Sequence, residues 1–182
     1  MHEVSLGGTL ADYLTGEARE CTTYEDLRQA LARFLVEEKG RPRELLRPRF
    51  PIRYEVEGED LEREADLALL DDDGSVLLLI LFCPGQPHTY AREAVAMARL
   101  AEPEPVPLVM VTDMHTAELL AARDEAILAH GLDSLPDTPA LRRFAQEYPV
   151  VRPSAEGRVK ESRILHAYTG FLKTCCGETC AL

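Results

Sequence analysis

The feature that most constrains this chain is an unbroken run of eight apolar residues at positions 76–83, with strong turn signals on both sides. Three aspartates and Gly74 come before it, and Pro84, Gly85 and Pro87 follow it. The run is far shorter than the roughly 20 residues that cross a bilayer, and it lacks the alternation of a strand with one exposed face. It therefore predicts a strand that is buried on both faces, in the centre of a sheet covered by helices.

The segments before and after this run have helical and extended patterns. A helix is predicted over residues 24–38, because apolar side chains recur there at helical spacing. Residues 50–56 alternate between apolar and polar, which indicates a strand with one buried face, and Pro51 favours an edge position for it. The next elements are predicted as a strand over residues 65–70, a helix over 89–101 and a strand over 106–112 that is parallel to the central one.

The rest of the chain is helical in pattern, with one ambiguous segment. Helix propensity favours a helix over residues 117–131, but a hairpin that turns at residues 123–125 fits the same segment, so both alternatives stay open. A helix over residues 138–147 and a C-terminal helix follow. The order of elements predicts an α/β fold with a mixed central sheet flanked by helices. We expect a domain over residues 1–147, then a linker, the C-terminal helix and a cysteine-rich tail over residues 148–182.

The charge balance is strongly acidic, since 20 Lys and Arg against 32 Asp and Glu give a formal net charge of −12. Nucleic acid is bound mainly by neutralising its phosphates, so this balance disfavours nucleic acid as a partner without excluding it. The densest basic cluster is predicted to be a solvated arginine-rich loop: Arg41, Arg43, Arg47, Arg49 and Arg53. The first residues do not have the pattern of a signal peptide, so we expect a cytoplasmic protein with no membrane partner.

Five short stretches have an informative order and spacing. Residues 24–29 contain a Glu and an Arg-Gln pair, residues 64–67 read Glu-Ala-Asp-Leu, and the others are residues 35–42, 73–79 and 106–113. Over residues 20–137, this arrangement resembles the N-terminal domain of type I restriction enzyme R subunits, a branch of the restriction-endonuclease-like PD-(D/E)XK superfamily. The resemblance implies a restriction-endonuclease-like three-layer fold, in which the mixed sheet lies between helices.

The resemblance also implies an active site for metal-dependent DNA cleavage. In the family, an Asp on one strand and Glu-X-Lys on the next hold Mg²⁺ and organise the attacking water. Asp66 matches that Asp, but Leu81-Phe82-Cys83 stands where Glu-X-Lys belongs. A leucine cannot bind Mg²⁺, and a thiol is a poor ligand for so hard a cation. Asp66, Leu81 and Cys83 are therefore expected to be the remnants of a degenerate motif.

Two replacements for the lost groups stay open. A carboxylate can come from another element, with Glu25 and Glu93 as candidates, or Gln86 or His88 can reach back from the segment after the strand. Glu25 also fits a simpler role, as the partner of Thr22 in a helix capping box. Mg²⁺ is an expected cofactor only if one of these replacements rebuilds the nuclease site.

Three cysteines near the C-terminus suggest separate chemistry: Cys175, Cys176 and Cys180. Cys176 and Cys180 have the spacing of zinc ligands, and a structural zinc site usually has four. The fourth ligand could come from His166, Cys83, Cys21 or a second copy of the chain. The alternatives are a zinc or iron–sulfur site, a thiol redox switch, a metal-mediated dimer, and a reduced tail without a fixed partner.

These patterns predict a non-catalytic restriction-endonuclease-like domain that serves as an interaction or regulatory module. Its expected partner is another protein or a second copy of the chain, and neither is identified by the sequence. Two alternatives remain. One is a Mg²⁺-dependent DNA nuclease with a rearranged site, and the other is a metal- or redox-responsive protein that works through residues 175–180.

Overall fold

A computed structural model describes residues 4–83 and 85–177, with side chains through residue 169 apart from that of residue 134. The strands are β1 Ser5–Ala11, β2 Ala18–Thr22, β3 Leu46–Val56, β4 Glu59–Leu70, β5 Val76–Phe82, β6 Leu108–Thr112, β7 Ala117–Ala121 and β8 Ile127–His130. The α-helices are α1 Thr23–Arg33, α2 Ala91–Leu100, α3 Thr138–Glu147 and α4 Ala155–Gly177. No helix in the described part of the chain has both the length and the apolar character required to span a bilayer.

Six strands form one mixed sheet in the order β3-β4-β5-β6-β7-β8, and β1 and β2 form a separate hairpin. The pair β5 and β6 is parallel, with α2 in the crossover between them, and the other neighbouring strands of this sheet are antiparallel. The central strand is confirmed, because Leu78 to Leu81 are all at most 1% exposed. β3 is an edge strand, as Pro51 predicted.

Helices cover both faces of the six-stranded sheet and give the fold its three layers. On one face, residues of α1 and α3 pack against alternate side chains of the central strands: Leu31, Leu35 and Leu141 against Leu67, Ile80 and Met110. On the other face, residues of α2 and α4 pack against the intervening positions: Ala94, Val95 and Leu165 against Leu79, Val109 and Val111. The continuous apolar run of β5 is therefore explained, since both faces of that strand are covered.

Helix α1 begins and ends as its sequence predicts, with a change in its last turn. The Thr22 side chain accepts a hydrogen bond from the backbone N–H of Glu25 at 3.0 Å, which caps the first turn. After Arg33 the helix continues as a wider π-helical turn over Phe34–Glu38. Gly40, with φ of +65°, then takes the chain out of the helix in a conformation that glycine adopts without strain.

The ambiguous segment at residues 117–131 is a hairpin. Leu119 and Leu120 are adjacent in β7, and they are buried in opposite faces of the sheet, which a strand permits and an amphipathic surface helix does not. The backbone N–H of Ala121 donates to the carbonyl of Ala126, and Glu125 has φ of +63° in the turn. Pairing with β6 therefore overrides the helix propensity of this segment.

The C-terminal helix packs against the residues that precede it. Leu165 of α4 is completely buried in the core, and Tyr54 Oη lies 3.5 Å from Thr169 Oγ1. The Glu161 carboxylate accepts hydrogen bonds from two arginines of α2, Arg92 and Arg99. The division of the chain at residues 147 and 148 stays a prediction, but α4 is attached to the core by both apolar and charged contacts.

Candidate functional site

The backbone of β3 and β4 is irregular at the residue that matches the nuclease Asp. Pro48 pairs with Leu67 and Phe50 with Ala65, so Arg49 and Asp66 lie opposite one another. Arg49 has φ of +52°, a strained conformation for a residue with a side chain. Ala65 and Leu67 pack on opposite faces of the sheet although they are two residues apart, which regular alternation would not allow. This local distortion positions the Asp66 side chain.

Asp66 lies in an environment that opposes its negative charge. Its Oδ2 accepts a hydrogen bond from the backbone N–H of Phe82 at 2.7 Å. Burial raises the pKa of Asp66 to about 6 from an ordinary 3.8, although the Phe82 N–H and the charges of Arg63 and Arg28 act to lower it. The negative charge of Glu93 adds to the increase. Carboxylates with shifted pKa values are common in functional sites, and ion-pair networks also produce them.

Leu81 and Cys83 leave Asp66 without the ligands that the nuclease motif would supply. The antiparallel register of β4 and β5 pairs Leu67 with Ile80, and the buried side chain of the next residue of β5, Leu81, presents only hydrocarbon. Cys83 is also buried, and its thiol donates a weak hydrogen bond to the carbonyl of Leu81 at 3.6 Å. Burial raises the pKa of the Cys83 thiol, and the charges of Asp66 and Glu93 raise it further. The thiol therefore stays protonated and is a poor metal ligand.

Glu93 of α2 shares the electrostatic environment of Asp66. Its Oε1 accepts a hydrogen bond from Arg63 Nε at 2.9 Å, and its Oε2 is buried with no hydrogen-bond partner among the described residues. Burial lowers the pKa of Arg63, but the charge and hydrogen bond of Glu93 and the charge of Asp66 outweigh it and raise that pKa. We call Arg63, Asp66, Leu81, Cys83 and Glu93 the remnant site.

The Glu and the Arg-Gln pair of α1 form a separate buried cluster. Arg28 binds both Asp12 and Glu25, and Arg49 binds the other oxygen of Glu25. Gln29 Nε2 donates to Glu25 Oε1 at 2.6 Å. Burial raises the pKa of Glu25, but hydrogen bonds from Arg28, Gln29 and Arg49 outweigh it and lower that pKa. Glu25 is therefore fully engaged by its donors, which argues against it as a replacement metal ligand.

The segment after β5 has its own surroundings. His88 Nδ1 lies 3.0 Å from Glu118 Oε2 on β7. Gln86 and His88 line an open depression of about 500 Å³. Other residues of this depression come from the turn after β6 and from the β7–β8 hairpin, among them Asp113, His115 and His130. His88 is therefore oriented toward β7 and not toward Asp66.

The residues of the remnant site do not fit a Mg²⁺ ion. Mg²⁺ takes nearly octahedral oxygen coordination, usually with one or two carboxylates. Leu81 has no oxygen to offer, and the Glu93 carboxylate already binds Arg63. Within the described ranges, no three His, Cys, Asp or Glu side chains are grouped so that they could hold a metal ion.

The predicted cysteine site lies outside the described side chains. Cys175 and Cys176 belong to the last turns of α4, beyond residue 169, and Cys180 follows the described backbone. Of the suggested fourth ligands, His166 is exposed on α4 and Cys83 is a buried free thiol. The zinc, iron–sulfur and redox alternatives stay predictions, and metal analysis of anaerobically purified protein would test them.

The arginine cluster is not a solvated loop, because its members belong largely to β3 and contact the protein. Arg41 donates to Thr138 and to the carbonyl of Pro136, and the Arg43 guanidinium lies 4.3 Å from the centre of the Tyr13 ring. Arg47 donates to the carbonyls of Glu44 and Leu46. Arg49 pairs with Glu25, and Arg53 pairs with Glu62. Arg41 is buried and Arg49 is half-buried, whereas Arg43, Arg47 and Arg53 are exposed. The prediction of a loop was wrong because β3 begins at Leu46, before the alternating pattern at residues 50–56, but three of the five arginines are solvated.

Arg63 is the residue of the site that sequence patterns missed. It lies between Glu62 and Glu64 in a strongly polar strand, so it has the pattern of an ordinary exposed residue. Its partner Glu93 is 30 residues away in the chain. The only available signal was that Glu93 is the single carboxylate of α2, whose other residues are apolar apart from Arg92 and Arg99.

Comparisons with known proteins give one family and one solved structure. Residues 23–136 match the family described as Type I restriction enzyme R protein N terminus. No curated protein matches the chain. Among solved structures, the chain is similar to the type IIG restriction endonuclease BpuSI, with 15% sequence identity and a TM-score of 0.35. That similarity covers 84% of this chain but 16% of the BpuSI chain, so this chain spans a small part of that enzyme's length.

Proposed function

The chain belongs to the type I restriction enzyme R protein N-terminal family, and from this premise we propose that it is a non-catalytic member that acts as an interaction or regulatory module. Family membership and the mixed six-stranded sheet between helices agree with the restriction-endonuclease-like fold that the sequence predicted. A fold hosts many functions, so the proposal depends on the side chains of the remnant site.

The side chains at the end of β5, the strand whose Phe82 N–H binds Asp66, carry the proposal. Metal-dependent phosphodiester hydrolysis requires a metal held by protein oxygens and a group that organises the attacking water. Leu81 presents hydrocarbon, and Cys83, two residues further along, presents a buried, protonated thiol. The remaining carboxylate, Glu93, is bound to Arg63. Asp66 is thus the only remnant-site residue that matches the nuclease motif.

The distribution of charge supports a protein partner over a nucleic acid. Arg41 and Arg49 contact other parts of the protein, and the exposed Arg53 pairs with Glu62, so part of the positive charge of this region is compensated. The hairpin of β3 and β4 adds a set of exposed carboxylates: Glu55, Glu57, Glu59, Asp60, Glu62 and Glu64. Such a surface repels a phosphate backbone and favours a partner that is neutral or basic.

A cleavage assay tests the proposal. Purified protein is incubated with supercoiled, linear and single-stranded DNA in the presence of Mg²⁺ or Mn²⁺, and we expect no cleavage above the buffer control. Asp66→Ala is the site variant, and Asp60→Ala, an exposed residue of the same strand, is the matched control. Cleavage by the wild type and Asp60→Ala that disappears in Asp66→Ala would refute the proposal.

One observation favours a second candidate, a Mg²⁺-dependent DNA nuclease with a rearranged site. Glu93 lies within electrostatic range of Asp66, and its buried Oε2 has no partner in the described part of the chain. If Glu93 replaces the lost motif carboxylate, Glu93→Gln abolishes cleavage as completely as Asp66→Ala does. Glu64→Gln, which removes an exposed carboxylate near Asp66, would then leave cleavage intact.

A further inference from the structure

Arg63 supplies the positive charge of the remnant site. Its Nε lies 2.9 Å from Glu93 Oε1, and it acts electrostatically on Asp66, three residues further along β4. The Glu93 side chain is fully buried, whereas that of Arg63 is 33% exposed. The guanidinium therefore lies between the buried carboxylate and solvent, and it joins α2 to the strand that carries Asp66.

A buried carboxylate such as Glu93 requires a positive partner, because an isolated ion in a protein interior costs several kcal/mol or becomes neutral. In a metal-dependent nuclease, a divalent cation supplies that charge to the site carboxylates. A guanidinium is always charged, and it donates hydrogen bonds to carboxylate oxygens in a fixed geometry. It can therefore meet the same electrostatic requirement without water or metal.

We infer that the guanidinium of Arg63 takes the place of a divalent cation at the Glu93 carboxylate, three residues from Asp66 in β4, so that this protein keeps the charge balance of a metal site without binding a metal. The inference rests on the proposed non-catalytic function and adds a physical reason for it. Arg63 would have to leave Glu93 before a metal could bind there. The degenerate motif is thus stabilised by an internal cation.

A second arginine of the same hairpin shows that this contact differs from an ordinary surface ion pair. Arg53 also pairs with a glutamate, Glu62, at 3.2 Å, but their side chains are 82% and 47% exposed. Exposed pairs of this kind contribute little to stability, because water solvates both partners when the pair is broken. Breaking the Arg63–Glu93 pair would leave a carboxylate inside the protein, with its Oε2 already lacking a described partner.

The test is the effect of Mn²⁺ on thermal unfolding of the full chain. Mn²⁺ is the probe because it prefers oxygen ligands to thiols, so it should favour carboxylates over the cysteines of the C-terminal tail. Arg63→Met removes the cation and keeps the volume, Arg63→Lys keeps a charge, and Arg53→Met is the matched surface control. In buffer without metal, we expect Arg63→Met to unfold at a lower temperature than the wild type and Arg53→Met to match the wild type.

The response to metal decides the inference. The Mn²⁺ concentration is set at about ten times the dissociation constant of Mn²⁺ from Arg63→Met, and this variant should then regain about 3–5 °C in unfolding temperature. At the same concentration, the unfolding temperatures of the wild type, Arg63→Lys and Arg53→Met should change by less than about 1 °C. The double variant Arg63→Met/Glu93→Gln removes both charges of the pair. Its unfolding temperature should therefore lie closer to that of the wild type than the unfolding temperature of Arg63→Met does, and Mn²⁺ should not change it.

Two results would overturn the inference. If the wild type is stabilised by Mn²⁺ as strongly as Arg63→Met, then Arg63 does not occupy the place of a cation. If Arg63→Met is not stabilised by Mn²⁺, or stays unfolded with and without it, then a metal cannot replace the guanidinium. Neither result depends on DNA cleavage, whereas cleavage that requires Asp66 would refute the proposed function itself.

Discussion

The Asp66 carboxylate is held by a hydrogen bond from Phe82, but its burial disfavours the ionised form. The unfolded carboxyl group ionises with the ordinary pKa of 3.8, and folding raises the pKa to about 6. Because the folded state prefers the protonated form, the contribution of this group to stability is fully present below pH 3.8. It falls as the pH rises through 6 and is lost above it. Residues that destabilise a fold in this way are typical of sites inherited for function.

Asp66→Asn should therefore stabilise the protein at neutral and basic pH. Asparagine keeps an oxygen that can accept the Phe82 N–H, and it removes the charge. We expect the free energy of unfolding to rise by about 1–2 kcal/mol at about pH 8 and to change little at about pH 4. The increase at about pH 8 is smaller than the full pKa shift implies, because the Asp66 side chain is partly accessible to solvent. Urea unfolding at several pH values measures this effect.

Asp60→Asn, on the exposed part of β4, is the control for that experiment and should keep the pH dependence of the wild type. A decrease in the stability of Asp66→Asn at basic pH would contradict the prediction. It would mean that the ionised carboxylate, with its hydrogen bond from Phe82 and the charge of Arg63, stabilises the folded state.

At the scale of elements, α4 lies outside the segment that matches the family and is still joined to the core. Glu161 connects it to α2, with Arg92 donating to one carboxylate oxygen at 2.6 Å and Arg99 to the other at 2.9 Å. The side chain of Glu161 is only 8% exposed. Removal of one partner from a charge pair that is shielded to this extent lowers the free energy of unfolding, because the arginines are left without their carboxylate.

Glu161→Gln should accordingly lower the free energy of unfolding by about 1–3 kcal/mol. Glu156→Gln, in the exposed first turn of the same helix, is the control, and we expect it to change stability by less than about 0.5 kcal/mol. Denaturant unfolding measures both variants. Equal effects of the two substitutions would indicate that the contact between α4 and α2 contributes little.

Elements also differ in how well local pattern predicts them. The helix at residues 138–147 has the bounds that its pattern predicts, since Asp137 caps it and its apolar stripe is continuous. The hairpin at residues 117–131 could not be settled from the sequence. Its first strand pairs with β6, which directly precedes it in the chain, and β6 is itself held in the sheet by parallel pairing with β5 on the other side of α2.

At the scale of the whole molecule, the net charge of −12 and the contacts that engage Arg41 and Arg49 lead to a prediction about DNA. We expect binding of a labelled duplex, measured by fluorescence anisotropy, to be weaker than about 10⁻⁴ M at physiological salt. Tighter binding with a steep salt dependence would contradict this, since it would require a basic surface that releases several counterions.

Local order was enough to predict some features of this protein. The apolar run at residues 76–83 predicted a strand covered on both faces, which is confirmed. Leu81-Phe82-Cys83 also led to the prediction that the ligands of a nuclease site are missing. These conclusions followed because burial is recorded in periodicity and ligand chemistry in residue type.

Only the tertiary structure decided how the remaining charges are balanced. It placed Arg63 of β4 against Glu93 of α2, engaged Glu25 with three donors from two elements, and distorted the backbone where Arg49 meets Asp66. Electrostatic compensation depends on distance in space, and residues that lie 30 positions apart leave no periodic signal of their contact.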